Sequence, residues 1–552
     1  MSAPYNSRVP RFSGVPSPSG DPRTSDFRLP LWIALVTGVG GGALMEFGFP
    51  DRGIWPLTFV GIGLILLALK GRSIGGSLLV ALASGMTFFF VLIDWVATYL
   101  GPVPWIALAG LEAMIFALGA IPITLAYRWV PRVWQGTLGR TLLLPVVVAG
   151  LWVGREFVAG HYPYGGFSWG RVAESQSQSP FASLTAWLGI SGLSFVMVAL
   201  VAAVMQLLVE QPVRLTTRAL VAATAIVAVL AVPAWPSASA GSSTIAAVQG
   251  NSKAGFFQQR TYGDLSNAQV DATYKGVLPS DDIDMLVWPE GASDRDPTRD
   301  RFGAYIFDVL SNAYGAPIVS GVITERGSKD YNSSIVWDDG TVQAQYDKRH
   351  LVPFGEYVPD RPFFNALAPS LVGLLTRDLT PGTNTNVLDV GSIKAGISIC
   401  FDIVDDALTR EMVDGGAQVI LAQTNNADFG QTDENTQQLA IARLRAIETS
   451  RPLVNISTVG SSAVISADGK TIDSIPAFQP GAMVTKVPLG TGTTPAVWGG
   501  AALEQLTMFF AAAALVLSRV LLRRSGYGDA ARQAKQSDRL ARRSRRLGPA
   551  AE

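Results

Sequence analysis

Seven apolar runs crowd into the first 235 residues, and an eighth stands alone near the C-terminus. The seven cover 31–47, 55–69, 78–99, 105–126, 142–158, 184–208 and 219–232; the eighth covers 503–522. A helix needs about 20 apolar residues to cross the hydrocarbon of a bilayer. Lipid offers no hydrogen bonds to the backbone, so such runs have to be helical. The expectation is a membrane-spanning α-helical bundle of about eight spans, with the runs from Leu142 and Ala219 at the short end. Composition agrees, at 48% hydrophobic and only 16% charged residues. With 552 residues the chain is also long enough for more than one folding unit.

Charges between the runs predict an orientation. One set of loops carries Lys70 and Arg72, then Arg128, Arg132 and Arg140, then Arg214 and Arg218. The alternate set carries Asp51 with Arg52, an uncharged stretch at 101–104, and Arg171 with Glu174. The tail is densely basic, with Arg523, Arg524, Arg532, Lys535, Arg539, Arg542, Arg543, Arg545 and Arg546. Basic loops stay on the cytoplasmic side. A single topology then satisfies every loop: both termini cytoplasmic, and the segment between spans seven and eight extracytoplasmic. The formal net charge is zero, which argues against a nucleic-acid partner.

Five units result: a disordered cytoplasmic arm at 1–29, rich in Pro, Ser, Gly and Arg; a seven-span domain at 30–235; a water-facing domain at 240–497; an eighth span at 500–523; and a basic cytoplasmic tail at 524–552. In 240–497 the apolar runs shorten to strand length. Strands are expected at 243–249, 285–288, 317–322, 333–337, 394–398, 419–423 and 453–457, and helices at 301–313, 404–414 and 434–448. Alternation of this kind reads as an α/β fold.

The chemistry is pruned by scarcity. One cysteine excludes an internal disulfide and a Cys-x-x-Cys zinc site, and two histidines, His161 and His350, exclude a multi-histidine metal centre. The lone Cys400 follows the strand Lys394-Ala-Gly-Ile-Ser-Ile and precedes Phe401-Asp402-Ile403-Val404. At a strand-to-helix junction, the helix N-terminus is expected to stabilise its thiolate. A buried structural cysteine is the commoner fate. Glu290 follows Leu286-Val-Trp-Pro at another strand end, where it could act as a general base or be a solvated loop charge. Lys348, after Tyr346-Asp, could supply positive charge to an oxyanion or be one of a surface pair with Arg349. His350 could be a base or could cap a local turn.

Glu290, Lys348 and Cys400, in that order and each at a strand end, resemble the Glu-Lys-Cys set of the nitrilase, or carbon–nitrogen hydrolase, superfamily. That resemblance implies an extracytoplasmic α-β-β-α sandwich over about 243–489. With the spans around it, the chain resembles the bacterial apolipoprotein N-acyltransferase family. The matching stretches are Phe47-Gly-Phe-Pro with Trp55-Pro56, Val248-Gln-Gly-Asn251, Trp288-Pro-Glu290, His350-Leu-Val-Pro-Phe-Gly-Glu356-Tyr-Val-Pro359, Asn425-Asn426, Phe429-Gly430 and Ala442-Arg-Leu-Arg-Ala-Ile-Glu448 before Arg451-Pro452. Three features depart from the pattern. Asp402 follows Phe401 where a glutamate is usual, Asp428 stands where a tryptophan often precedes Phe429-Gly430, and Phe256 and Phe257 replace a tryptophan after Val-Gln-Gly-Asn. These changes bear on acyl-chain or substrate preference.

The resemblance implies an acyltransferase of the bacterial inner membrane that needs no metal or cofactor. The acyl donor is a membrane phospholipid and the acceptor a diacylglyceryl apolipoprotein. Glu290 is the base, Cys400 the nucleophile and Lys348 the oxyanion partner, with Glu356, Phe401, Asp402 and Asn425 in support. The apolar stretch at 363–375, with Phe363, Phe364, Leu371 and Leu374, is either a lid dipping into the bilayer or a buried helix. Phe256 and Phe257 are further substrate contacts. Glu46, Asp94, Glu112, Arg155, Glu156 and Glu504, in or near spans, are positioning groups. A monomer is expected, with the basic tail free to meet a membrane-enzyme partner. Two other classes remain open: a tethered amidase that passes the acyl group to water, and a non-enzymatic scaffold.

Overall fold

The computed structural model describes residues 28–210, 214–255 and 258–524. Most of the N-terminal arm, the tail beyond Arg524, and Phe256 and Phe257 lie outside the described residues. The N-terminal helices are α1 (Leu31–Phe47), α2 (Pro56–Leu69), α3 (Ile74–Leu92), α4 (Trp95–Leu100), α5 (Pro102–Val133), α6 (Leu144–His161), α7 (Thr185–Glu210) and α8 (Leu215–Leu230). A final long helix covers Pro495–Arg524. Among the described residues, five helices are long and apolar enough to cross a membrane, and 31–47, 56–69 and 216–230 are shorter apolar helices. Together they match the eight apolar runs in position.

The two ends of this bundle differ. Before α3 begins, buried Arg72 donates through Nε to the carbonyl of Ala68 (2.9 Å) and through Nη2 to that of Leu29 (2.5 Å), and Arg128 donates to the carbonyl of Arg72. Where α3 ends, Trp95, Phe167 and Trp169 pack against Phe401 and Phe429 of the α/β domain. The α/β domain therefore sits on the helix ends opposite Arg72 and Arg128. Helix α7 is broken at Gly189, whose φ is 76°. A Cβ there would lie 3.2 Å from Glu448 Oε1, so glycine suits both the turn and the close approach of the domain.

The strands are β1 (Ala238–Gln249), β2 (Met285–Val287), β3 (Ile318–Arg326), β4 (Lys329–Asp338), β5 (Thr341–Asp347), β6 (Val387–Val390), β7 (Ile393–Ile399), β8 (Val419–Thr424), β9 (Leu453–Ser457), β10 (Ser462–Ile465), β11 (Thr471–Ile475) and β12 (Gly481–Thr491). They form two six-stranded sheets, β12-β1-β2-β3-β4-β5 and β11-β10-β9-β8-β7-β6. Alternation along each strand supplies two faces. Ala247, Val287 and Val319 meet Ile397, Leu421 and Val454 between the sheets, while Ala246, Leu286 and Ile318 point outward. The outward face is covered by α9 (Asp264–Gly276) and α10 (Arg301–Tyr314), where Phe307 packs edge-on against Trp288 and Trp337. Outside the second sheet lie α13 (Asp406–Asp414) and α14 (Glu434–Thr449), numbered after two short helices described below. The expected sandwich is present.

Strands β5, β6, β10, β11 and β12 and helix α9 went unread in the sequence. Pro488 and two glycines, Gly481 and Gly490, interrupt the apolar pattern of β12, which is specified instead by antiparallel pairing with β1 from Ala238↔Thr491 to Gln249↔Gly481. That pairing brings the domain's first and last strands together, so it inserts between two helices of the bundle without pulling them apart.

Candidate active site

Strands β1, β2 and β3 run parallel, β4 reverses, and β5 reverses again. Residues just past β2 and β5 therefore emerge on one sheet edge, and these are Glu290 and Lys348. In the second sheet β7, β8 and β9 are parallel, and Cys400 follows β7. Such carboxyl edges are where α/β folds assemble sites.

Lys348 is 1% exposed. Its Nζ lies 2.9 Å from Glu356 Oε2 and 3.7 Å from Glu290 Oε1. Burial opposes its charge, but the two carboxylates outweigh that and hold the ammonium above its ordinary range. The contacts are ion pairs, and Nζ has no aligned hydrogen bond among the described residues. Glu290 is pushed up to about 7, chiefly by burial, with Lys348 opposing and Glu356 adding. Asn332 donates from Nδ2 to Glu290 Oε1 (2.7 Å) and to Glu356 Oε1 (2.9 Å), and Glu356 Oε2 also accepts from the Val352 N–H at 2.7 Å.

Cys400 is half-buried and has φ 49°, a strained conformation for a side chain of its size. It opens a single five-residue 3₁₀ turn, Cys400–Val404, and α13 begins only at Asp406. This corrects the expectation of a thiolate stabilised by a helix N-terminus. Burial pushes the thiol well above its ordinary value, Glu290 adds to that, and Lys348 opposes it.

Asp402 ties the cysteine turn to the lysine segment. Its carboxylate accepts from the Ile399 N–H (3.1 Å), the His350 N–H (3.0 Å) and the Tyr346 hydroxyl (2.9 Å), and burial lifts it to about 6. His350 Nδ1 lies 3.2 Å from Asp405 Oδ2. Phe401 stacks on Phe167 and Trp169 of the membrane domain. Asn425 accepts from the Thr458 hydroxyl (2.7 Å) and donates to the Ala254 carbonyl (3.1 Å), bracing the loop past β8.

The stretch at 363–375 forms two short helices, α11 (Arg361–Leu367) and α12 (Pro369–Val372), broken at Pro369. Phe364 packs on Val358, Val372 and Leu375. Phe363, Leu367 and Leu374 are 63%, 71% and 45% exposed. Leu371 is half-buried. Val372 and Leu375 are buried, so one face of the segment packs down while the other is exposed. Arg361 and Asp378 pair at 2.6 Å at its base.

Sequence reasoning missed Asn332, Gln438 and Arg445. Arg445 is completely buried and donates to the carbonyls of Ile403 (2.8 Å) and Val404 (2.9 Å), gripping the cysteine turn. It shares Asp406 with Arg171 of the membrane domain, at 2.6 and 2.9 Å, and the two arginines hold that half-buried carboxyl well below its usual range. The spacing Arg443-Leu-Arg445 was legible, but not which of these two buried arginines reaches the cysteine turn.

Residues 41–204 match the apolipoprotein N-acyltransferase N-terminal domain, and 244–494 match carbon-nitrogen hydrolase. The apolipoprotein N-acyltransferase of Mycolicibacterium smegmatis is 31% identical, over 88% of this chain and 85% of that protein. That of Geobacter metallireducens is 26% identical, over 88% and 92%. Among solved structures, the carbon-nitrogen hydrolase of Helicobacter pylori G27 is 14% identical over 48% of this chain and 93% of that one, with a TM-score of 0.35. Two matched domains in series, and a relative 31% identical along most of both chains, lead to one statement: this chain belongs to the apolipoprotein N-acyltransferase family.

Proposed function

We propose that Glu290, Lys348 and Cys400 are the catalytic set of a membrane acyltransferase, which moves a fatty acyl chain from a phospholipid to the α-amino group of an apolipoprotein's diacylglyceryl-cysteine. The observation that carries this reading is the buried Lys348 ammonium, held by ion pairs to Glu356 and Glu290 at the carboxyl edge of the sheets, where Cys400 also emerges. Glu290 takes the Cys400 proton as sulfur attacks the ester carbonyl, and Lys348 stabilises the tetrahedral oxyanion. The ester C–O bond breaks, the glycerol oxygen takes the proton from Glu290, and lysophospholipid leaves a thioester on Cys400. The lipoprotein amine then attacks the thioester, Glu290 accepts the amine's proton, and the thiol is restored. Glu356 holds Lys348 between these steps.

The exposed Phe363, Leu367 and Leu374 are a lipid-facing lid beside the site. The membrane topology has eight spans, with both termini cytoplasmic and the α/β domain outside, as the basic loops favour. Intact mass spectrometry after incubation with phospholipid tests the chemistry. The expected result is one acyl mass on Cys400, discharged by a diacylglyceryl peptide to N-acyl peptide; free fatty acid as the main product makes the enzyme a hydrolase. An impermeant thiol reagent tests sidedness. It should label Cys400 in cells whose outer barrier alone is opened, and labelling only after the inner membrane is broken inverts the topology.

A further inference from the structure

Helix α14 carries two adjacent glutamines that grip different domains. Gln437 donates to the carbonyl of Leu92 at the end of α3 (3.0 Å) and accepts from the indole N–H groups of Trp169 (2.7 Å) and Trp95 (3.3 Å). Gln438 turns the other way, and its Nε2 lies 3.6 Å from Cys400 Sγ.

The orientation of the Gln438 amide follows from donor and acceptor accounting. Asn426 Oδ1 accepts from the hydroxyls of Ser457 (2.5 Å) and Thr424 (3.0 Å). Its Nδ2 donates to Glu434 Oε2 (2.7 Å) and Gln438 Oε1 (2.9 Å). With its oxygen accepting, Gln438 can only present N–H to the sulfur. Glu434, Asn426 and Gln438 are each 2% exposed, so water does not complete these bonds for them. An N–H aimed at sulfur is a weak partner for a thiol and a charge-assisted one for a thiolate.

We propose that Gln438 is a further catalytic residue, donating to the Cys400 sulfur as Glu290 removes its proton, and that Asn426 and Glu434 are positioning residues that hold its amide. The proposal rests on the reading of Cys400 as nucleophile. It goes beyond the Glu-Lys-Cys set by giving the thiolate a neutral donor on the side away from the first sheet. The network also explains how a carboxyl can sit so close. Burial pushes Glu434 up to about 8, so around neutrality it adds no negative charge beside the nascent thiolate. Through Gln437, the same helix fixes the sulfur's donor relative to the membrane helices.

The test uses the full-length enzyme in detergent and compares Gln438→Met, which keeps length without a donor, with Gln438→Glu, which keeps shape and adds an acceptor. The first readout is the pH profile of Cys400 alkylation by iodoacetamide, which reports the thiolate in the field of Glu290, Lys348, Glu356, Glu434 and Tyr99. The second is the rate of thioester formation from a fluorescent phospholipid. Gln438→Met should move the alkylation profile alkaline by about one pH unit and slow acylation about tenfold, with KM for phospholipid unchanged. Gln438→Glu should move it further. Glu434→Leu should shift it the same way by less, and Glu434→Gln, which keeps the acceptor, should recover most of that loss. Wild-type alkylation profiles in both Gln438 variants overturn the proposal. Absence of an acyl adduct on wild-type Cys400 overturns the nucleophile reading itself, a separate result.

Discussion

The two sheets of the α/β domain contribute to the site by different physical means. The first sheet supplies charge: Glu290 and Lys348 leave ordinary strand ends, and their placement follows from strand direction. The second sheet supplies Cys400, the proposed nucleophile, on a residue with φ 49° that no strand or helix would hold by itself. Asp402, Gln438 and Arg445 restrain that turn, and two of the three lie on α14, which is also bonded to the membrane domain. Electrostatic elements can thus be placed by local structure, whereas a strained reactive residue needs tertiary clamps.

The comparison breaks most severely at the sulfur. Cys400→Ser should form no acyl adduct by intact mass, because a hydroxyl is far less acidic than a thiol and no other cysteine exists. On the first sheet, Glu290→Gln should fold normally yet slow thioester formation by about 10²–10⁴, the range for losing a general base. Lys348→Arg should cost about 10²–10³, since a broad guanidinium cannot replace a compact ammonium at an oxyanion. If Lys348→Arg and Lys348→Ala both keep near-normal rates, the charge has no part in the chemistry.

Protonation sharpens the same contrast. As the proposed base Glu290 acts only when ionised, and its carboxyl is raised to about 7. Acylation should therefore rise with pH up to about 7 and fall about tenfold per unit below it. Stopped-flow thioester formation in wild type and in Glu290→Gln would show whether that acid limb belongs to Glu290. A smaller effect should separate the clamps from the charges. Asp402→Asn removes one acceptor of three hydrogen bonds and should lower thermal stability by about 1–3 kcal/mol, with slower acylation. A comparable effect is expected at Gly321 in β3, where a Cβ would lie 2.5 Å from the backbone atoms Glu290 Cα and Pro289 O, so backbone has to shift. Gly321→Ala should cost about 1–3 kcal/mol in a thermal melt. Its larger signature should be a slower acylation step, because the displaced atom belongs to Glu290.

Much of the plan was legible in the residues. The eight apolar runs correspond among the described residues to eight apolar helices, five of them long enough to cross a membrane, because an apolar run in lipid has no other way to pair its backbone. The strands bearing Glu290 and Cys400 were readable because buried strands of an α/β sheet are short continuous apolar runs. Strand β12 was not, since its identity lies in pairing with β1, distant in the sequence, and the edge strand β11 was not, since it is short and largely exposed and presents no apolar run. What depended on tertiary structure was the reactivity of the site. A helix-stabilised thiolate was the natural expectation at 400, yet burial governs the sulfur, and burial is a property of everything packed around it. Asn332, Gln438 and Arg445 look like any polar residues in the sequence. Their roles arise because two sheets and a membrane bundle converge on one edge, where each buried donor has to meet an acceptor.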